Sequence, residues 1–197
     1  VSISVLGGIV DTIYGGANEA DIASDVNLNI SGGNITTVYG GNNASGDISG
    51  SIKLRVDGGN IETLYGGGNV ANFNGLVTVT VSDGYVSKNL YGGGKQAAIG
   101  EAKVTINNGN ITNVFGGGDQ GITTGNISVK VVNGNINTLY GGANKANING
   151  SVTVDIDGGN IINTFGGNNE SGKISGNIVL TIDNLNSLYD GTDDTYL

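Results

Sequence analysis

The sequence predicts an all-β fold: a parallel β-solenoid (β-helix) of about eight coils, each of about 25 residues with three short strands. Three observations predict it. An aromatic residue recurs at Tyr14, Tyr39, Tyr65, Tyr91, Phe115, Tyr140, Phe165 and Tyr189, at spacings of 24 to 26 residues. Seven copies read Tyr/Phe-Gly-Gly, and the last reads Tyr189-Asp190-Gly191. Short runs of Val, Ile and Leu alternate with polar residues at the same place in each copy, and Gly/Asn clusters separate them. An antiparallel sandwich or barrel is the competing all-β solution, but it rarely needs the same residue type at the same place in every repeat. A solenoid does, because each position stacks on its own copy.

The copy from Ser151 to Asn169 shows the elements in order. Val152-Thr153-Val154-Asp155-Ile156 has period two, which predicts a strand with Val152, Val154 and Ile156 on one face. Asp157-Gly158-Gly159-Asn160 predicts a turn in which glycine takes positive φ. A second strand runs from Ile161 to Phe165, and Gly166-Gly167 makes a corner. A third strand is clearest one copy earlier, over Lys145-Ala146-Asn147-Ile148-Asn149.

Four inward columns follow from this alignment. They are Ile52, Val77, Ala102, Ile127, Val152, Ile178; then Leu28, Leu54, Val79, Val104, Val129, Val154, Leu180; then Ile30, Val56, Val81, Ile106, Val131, Ile156, Ile182; and, from the third strand, Ile22, Ile48, Phe73, Ile99, Ile148, Ile174. Asn34, Asn60, Asn110, Asn135 and Asn160 follow the glycine turn and predict a stacked amide ladder.

The second strand has two readings. In Ile136-Asn137-Thr138-Leu139-Tyr140 the two aliphatics are three apart, so a regular strand cannot turn both inward. Either the strand bends at Thr138 and Tyr140 faces out, or Tyr140 faces in and the Leu139 column is exposed. Residues 1–184 form the repeat domain. Residues 185–197 read as a degenerate last coil and cap, with Asp190, Asp193 and Asp194 blunting a strand edge. A one-residue insertion falls near Val86-Ser87-Lys88. The chain opens at Val1 inside a strand pattern, which reads as a segment of a longer protein.

Composition narrows the function classes. The 38 Gly and 29 Asn make up about a third of the 197 residues, and there is no Pro, Cys, Met, Trp or His. Absent Cys removes disulfides and thiolate metal sites, and absent His removes histidine triads. A net charge of −9 disfavours nucleic acid and anionic lipid as partners. No apolar run approaches the length of a membrane span.

The aromatic column is the first candidate site. Exposed, it is a stripe of rings at about 4.8 Å intervals that suits an extended polysaccharide; buried, it is a stack that fixes register. The second candidate is acidic. Asp155 and Asp157 share the outer face of a strand and Asp183 aligns with Asp157 one coil later; like charges so close repel unless a cation such as calcium, or protonation, relieves them, and partly solvated surface carboxylates are the plainer reading. The period of about 25 residues, with Asn usually following the glycines, does not fit nonapeptide calcium rolls. Regular coils without long insertions provide no cleft for glycosidase or lyase chemistry, and the outward residues are too mixed for a flat ice-binding array.

Lines such as Asp57-Gly-Gly-Asn-Ile-Glu-Thr-Leu-Tyr-Gly-Gly-Gly-Asn69 resemble the YGGGN-type repeats of large secreted or surface-anchored, adhesin-like proteins of gut and anaerobic bacteria. The resemblance covers nearly the whole chain and implies an extracellular or cell-surface location without a defined activity. The expectation is therefore a structural or adhesive solenoid without catalysis: a stalk, fibre or adhesin repeat. Its partners would be surface glycans, other surface proteins or further copies of itself. A carbohydrate-binding module using the Tyr/Phe ladder is the alternative.

Overall fold

The computed structural model describes residues 1–183. They contain thirteen strands and no helix. In chain order these are β1 (Ser2–Val5), β2 (Ile9–Tyr14), β3 (Val26–Ile30), β4 (Asn34–Tyr39), β5 (Ile52–Tyr65), β6 (Phe73–Tyr91), β7 (Ile99–Ile106), β8 (Asn110–Phe115), β9 (Ile127–Val131), β10 (Asn135–Tyr140), β11 (Val152–Ile156), β12 (Asn160–Phe165) and β13 (Ile178–Ile182). All pairings between them are parallel. The molecule is a parallel β-solenoid of about seven turns among the described residues, as the repeat predicts. The eighth aromatic copy, at Tyr189, and the cap expected over residues 185–197 lie outside them.

The first-strand sheet runs β1-β3-β5-β6-β7-β9-β11-β13. Its alternation places the three predicted first-strand columns inside. Ile52, Val77, Val79, Val81, Val104, Val129, Val131, Val152 and Val154 are fully buried, and Val26 extends the first column by one coil through its pairing with Ile52. At the last described coil the same columns end at Ile178, Leu180 and Ile182, which are exposed. The turn between first and second strands has its glycine at φ between +89° and +119° in the copies at Gly33, Gly59, Gly84, Gly109, Gly134 and Gly159. A side chain at those positions would be strained.

The second-strand sheet settles the open reading. Ile35, Ile61, Val86, Ile111 and Ile136 are buried in the core, and so are Val38, Leu64, Leu90, Val114 and Leu139. Pairing passes from Ile35↔Ile61 directly to Thr37↔Thr63, leaving Thr36 and Glu62 out of the ladder. That irregularity shifts the phase of the strand, so both aliphatic columns turn inward. The next residue, Tyr or Phe, then points away from the core. The insertion near Val86-Ser87-Lys88 adds a residue at this same place and makes it a β-bulge: Val86 and Asn89 oppose Ile61 and Thr63 on one side, Ile111 and Asn113 on the other.

The third side is simpler than the strand predicted for it. It is joined mainly by isolated bridges, Ile22↔Ile48, Ile99↔Thr123, Thr123↔Ile148 and Ile148↔Ile174, with Phe73↔Ile99 continuing the series. Much of its order comes from side chains that bond the next coil's backbone. Asp21 accepts from the Asp47 N–H at 2.8 Å, Asn72 from Ala98 at 2.8 Å and Asn147 from Lys173 at 2.8 Å. Thr123 sits in this otherwise apolar column, fully buried, with its Oγ1 unpartnered.

The paired glycines after each aromatic answer to a different constraint. A Cβ at Gly92 would lie against the carbonyl oxygen of Gly116 in the next coil, far inside van der Waals contact, and against Val104. The same conflict with the next coil's carbonyl recurs at Gly15, Gly40, Gly66, Gly116 and Gly141. These corners stack backbone directly on backbone.

Two outcomes follow for stability. Thr123→Val removes an orphaned hydroxyl at nearly constant volume and should raise unfolding free energy by about 1 kcal/mol, read as a higher urea midpoint at unchanged slope. Gly92→Ala should lower it by about 2 kcal/mol or more, because the neighbouring coil must move. A neutral result for Gly92→Ala would show that the corner is looser than described.

Candidate functional site

The break in pairing in each second strand sets the aromatic column outside the core as a cluster of its own. Tyr14, Tyr39, Tyr65, Tyr91, Phe115, Tyr140 and Phe165 form one continuous stack, separate from the aliphatic tube. Successive ring centroids are 4.7 to 5.1 Å apart, with interplanar angles of 5° to 15°. Both faces of each interior ring are covered by its neighbours. Tyr39, Tyr65, Tyr91 and Phe115 are only 4–7% exposed, whereas Phe165, at the end of the described stack, is 50% exposed. The column is thus outside the core, as in the first of the two strand readings, yet its rings are buried in their own stack.

Burial has an electrostatic effect. Desolvation pushes the Tyr39 hydroxyl up to about 12, with Tyr14 adding to it. Tyr65 and Tyr91 are raised further, again by burial first and then by the negative charge of Asp119. The rings are held neutral.

A groove of about 230 Å³ runs beside the stack. Asn89 and Asn113 line it on one side, with Asn113 Nδ2 donating to Asn89 Oδ1 at 3.0 Å. Asn144 and Asn169 line the other. These last two belong to a ladder that sequence reasoning missed, four residues after each aromatic. Asn43 donates to Asn18 (2.7 Å), Asn69 to Asn43 (2.9 Å), Asn144 to Asp119 (2.7 Å) and Asn169 to Asn144 (2.9 Å). The signal was present in the repeated Asn after the glycines. The ladder predicted after the turn exists in two pieces, Asn60 to Asn34 at 2.9 Å and Asn135 to Asn110 at 2.8 Å, and is interrupted by Tyr85.

The acidic candidate looks different in three dimensions. Asp157 and Asp183 do occupy equivalent positions, just past β11 and β13, each donating its N–H to the preceding coil (Asp157 to Val131, Asp183 to Ile156). But Lys130 lies opposite Asp155 in the parallel register. Its Nζ is 2.7 Å from Asp157 Oδ2 and 3.5 Å from Asp155 Oδ2. The two carboxylates, Asp157 first, raise the lysine's pKa. An ammonium group one coil below, which the sequence argument left out, thus faces Asp155 and Asp157. Among the described residues no three acidic, His or Cys side chains converge as a metal-binding group.

Comparison with known proteins returned no match: no family model, curated protein or solved structure is significantly similar to this chain. What the arrangement offers chemically must be read from its own geometry. It is a set of stacked rings and amides, with the Glu170 carboxylate on the groove lining paired to Lys145 at 3.2 Å.

The raised tyrosines fix the sign of the alkaline response. The folded state holds these protons more tightly than the unfolded chain, whose tyrosines titrate near 10. Their contribution is therefore fully present below about pH 10 and is lost as pH rises through 10 to 12. Phenolate absorbance should show a tyrosine class that ionises only together with loss of β circular dichroism. Ionisation of all tyrosines near pH 10 with the fold intact would contradict the buried stack.

Proposed function

We propose that this chain is a non-catalytic structural and adhesive solenoid segment, acting at the cell surface or outside the cell as a stalk, fibre piece or adhesin repeat. One observation carries the reading. The described coils repeat at nearly constant length, with a one-residue insertion in β6, so nearly every position stacks on its own copy in continuous parallel sheets. Enzymes that attack polymers place two acid–base groups on either side of the bond they cleave. A smooth repetitive surface instead suits extended contact with surface glycans, with other surface proteins or with neighbouring copies. The Tyr-Gly-Gly-Gly-Asn lines, similar to those of surface-anchored repeats, support the location.

The aromatic stack fits the scaffold role better than face-on sugar binding. Stacked rings at these spacings favour the folded state by about 0.5–1.5 kcal/mol per pair beyond their burial, and interior rings turn only edges outward. Among the described residues only Tyr14 and Phe165, at the ends of the stack, have a face not covered by a neighbouring described ring.

The test couples the full chain to beads and measures their retention under flow on glycan-coated and protein-coated surfaces. The same preparation is assayed for polysaccharide turnover. Retention without turnover is the expected result. Turnover that disappears in Asp155→Asn would overturn the non-catalytic reading, and failure to adhere to any surface would leave only the stalk.

A further inference from the structure

The column that opens each second strand reads Ile9, Asn34, Asn60, Tyr85, Asn110, Asn135, Asn160. Tyr85 is the single aromatic in it and is 45% exposed. It belongs to none of the ring stacks, which lie at the opposite end of the same strands. Its presence breaks the amide ladder in a specific way. Asn60 spends its Nδ2 on Asn34, and Asn110 spends its Oδ1 on Asn135. An asparagine at position 85 would take up the remaining Asn60 acceptor and Asn110 donor. Tyrosine takes up neither. The ring is therefore flanked by an open hydrogen-bond acceptor on one side and open donors on the other.

A second feature coincides with it. The groove of about 440 Å³ in front of Tyr85 is lined by Ile9, Asn34, Asn60, Glu62 and Ser87. The extra residue of the β6 bulge falls at Ser87-Lys88, beside this groove, and Lys88 pairs with Glu62 on its rim.

We propose that Tyr85 anchors a binding subsite for an uncharged oligosaccharide of pyranose units. The chemistry selects that class. A half-exposed tyrosine ring matches the apolar C–H face of a pyranose, while the open Asn60 acceptor in the groove and the Asn110 donors on the far side of the ring match hydroxyls at its edge. The Lys88–Glu62 pair leaves the rim locally neutral, and a chain of net charge −9 repels polyanions. The groove lies within the 300–1,000 Å³ range of small-molecule sites and runs past several coils, so it accepts more than one sugar unit. This subsite is independent of the scaffold reading and of the aromatic stack.

The test titrates the full chain with cellohexaose, xylohexaose and mannohexaose, followed by calorimetry and by tyrosine ring resonances. Tyr85→Asn restores the residue type of the column and should fold at least as well as the parent. Tyr85→Thr serves as a second loss variant should it not. The expected result is that at least one hexasaccharide binds the parent. Loss of the ring should weaken binding by about tenfold or more. Tyr85→Phe and Tyr140→Phe should stay within about threefold of the parent. Undiminished binding by Tyr85→Asn or Tyr85→Thr, or no binding of any hexasaccharide to the parent, would overturn the proposal.

Discussion

Everything in this molecule depends on the hydrogen bonds that join one coil to the next. They fix the separation of successive copies at the parallel-strand spacing of about 4.8 Å. Once that spacing is set, every side chain lies over its own counterpart, and the only question at each position is what stacks well on itself. Aliphatic residues do so by burial, aromatic rings by face contact at 4.7 to 5.1 Å, and amides by donating to one another. Glycine is required where the backbone itself is the neighbour, as where Gly92 meets Gly116.

That dependence explains why so much was legible in the sequence. The inward columns of the first strand and the positive-φ turn glycines follow from period and residue type alone. The second strand was not legible, because alternation cannot represent a strand that slips phase part-way. Seeing Ile136 and Leu139 three apart was the available signal, and it left two orientations open. The third side reads as a strand in the sequence because apolar residues recur there two apart, as at Ala97 and Ile99 or Ala146 and Ile148. In fact Asp21, Asn72 and Asn147 stand in for part of a backbone ladder.

The site residues were legible as columns and not as environments. The position of the aromatics is plain in the sequence, but their covered faces depend on the phase slip that turns them out of the core. The acidic group looked unbalanced because Asp155, Asp157 and Asp183 were compared with each other. The cross-strand neighbour of Asp155 one coil back is Lys130, which also reaches Asp157, and pairing register alone reveals it. In a repeat of this kind the informative residues are those that break their column. Thr123 among isoleucines and Tyr85 among asparagines are both such breaks, and each leaves polar groups unmatched.

The direction of the coil-to-coil bonds has a mechanical consequence. They lie along the length of the solenoid, with several from each sheet at every boundary between coils. A pull spread evenly over both ends loads all the bonds of one boundary together. A pull on a chain terminus peels them off in sequence, one residue at a time. The same structure is thus stiff under distributed tension and yields by unwinding when force enters through a single strand, so its strength is set by how its ends are held.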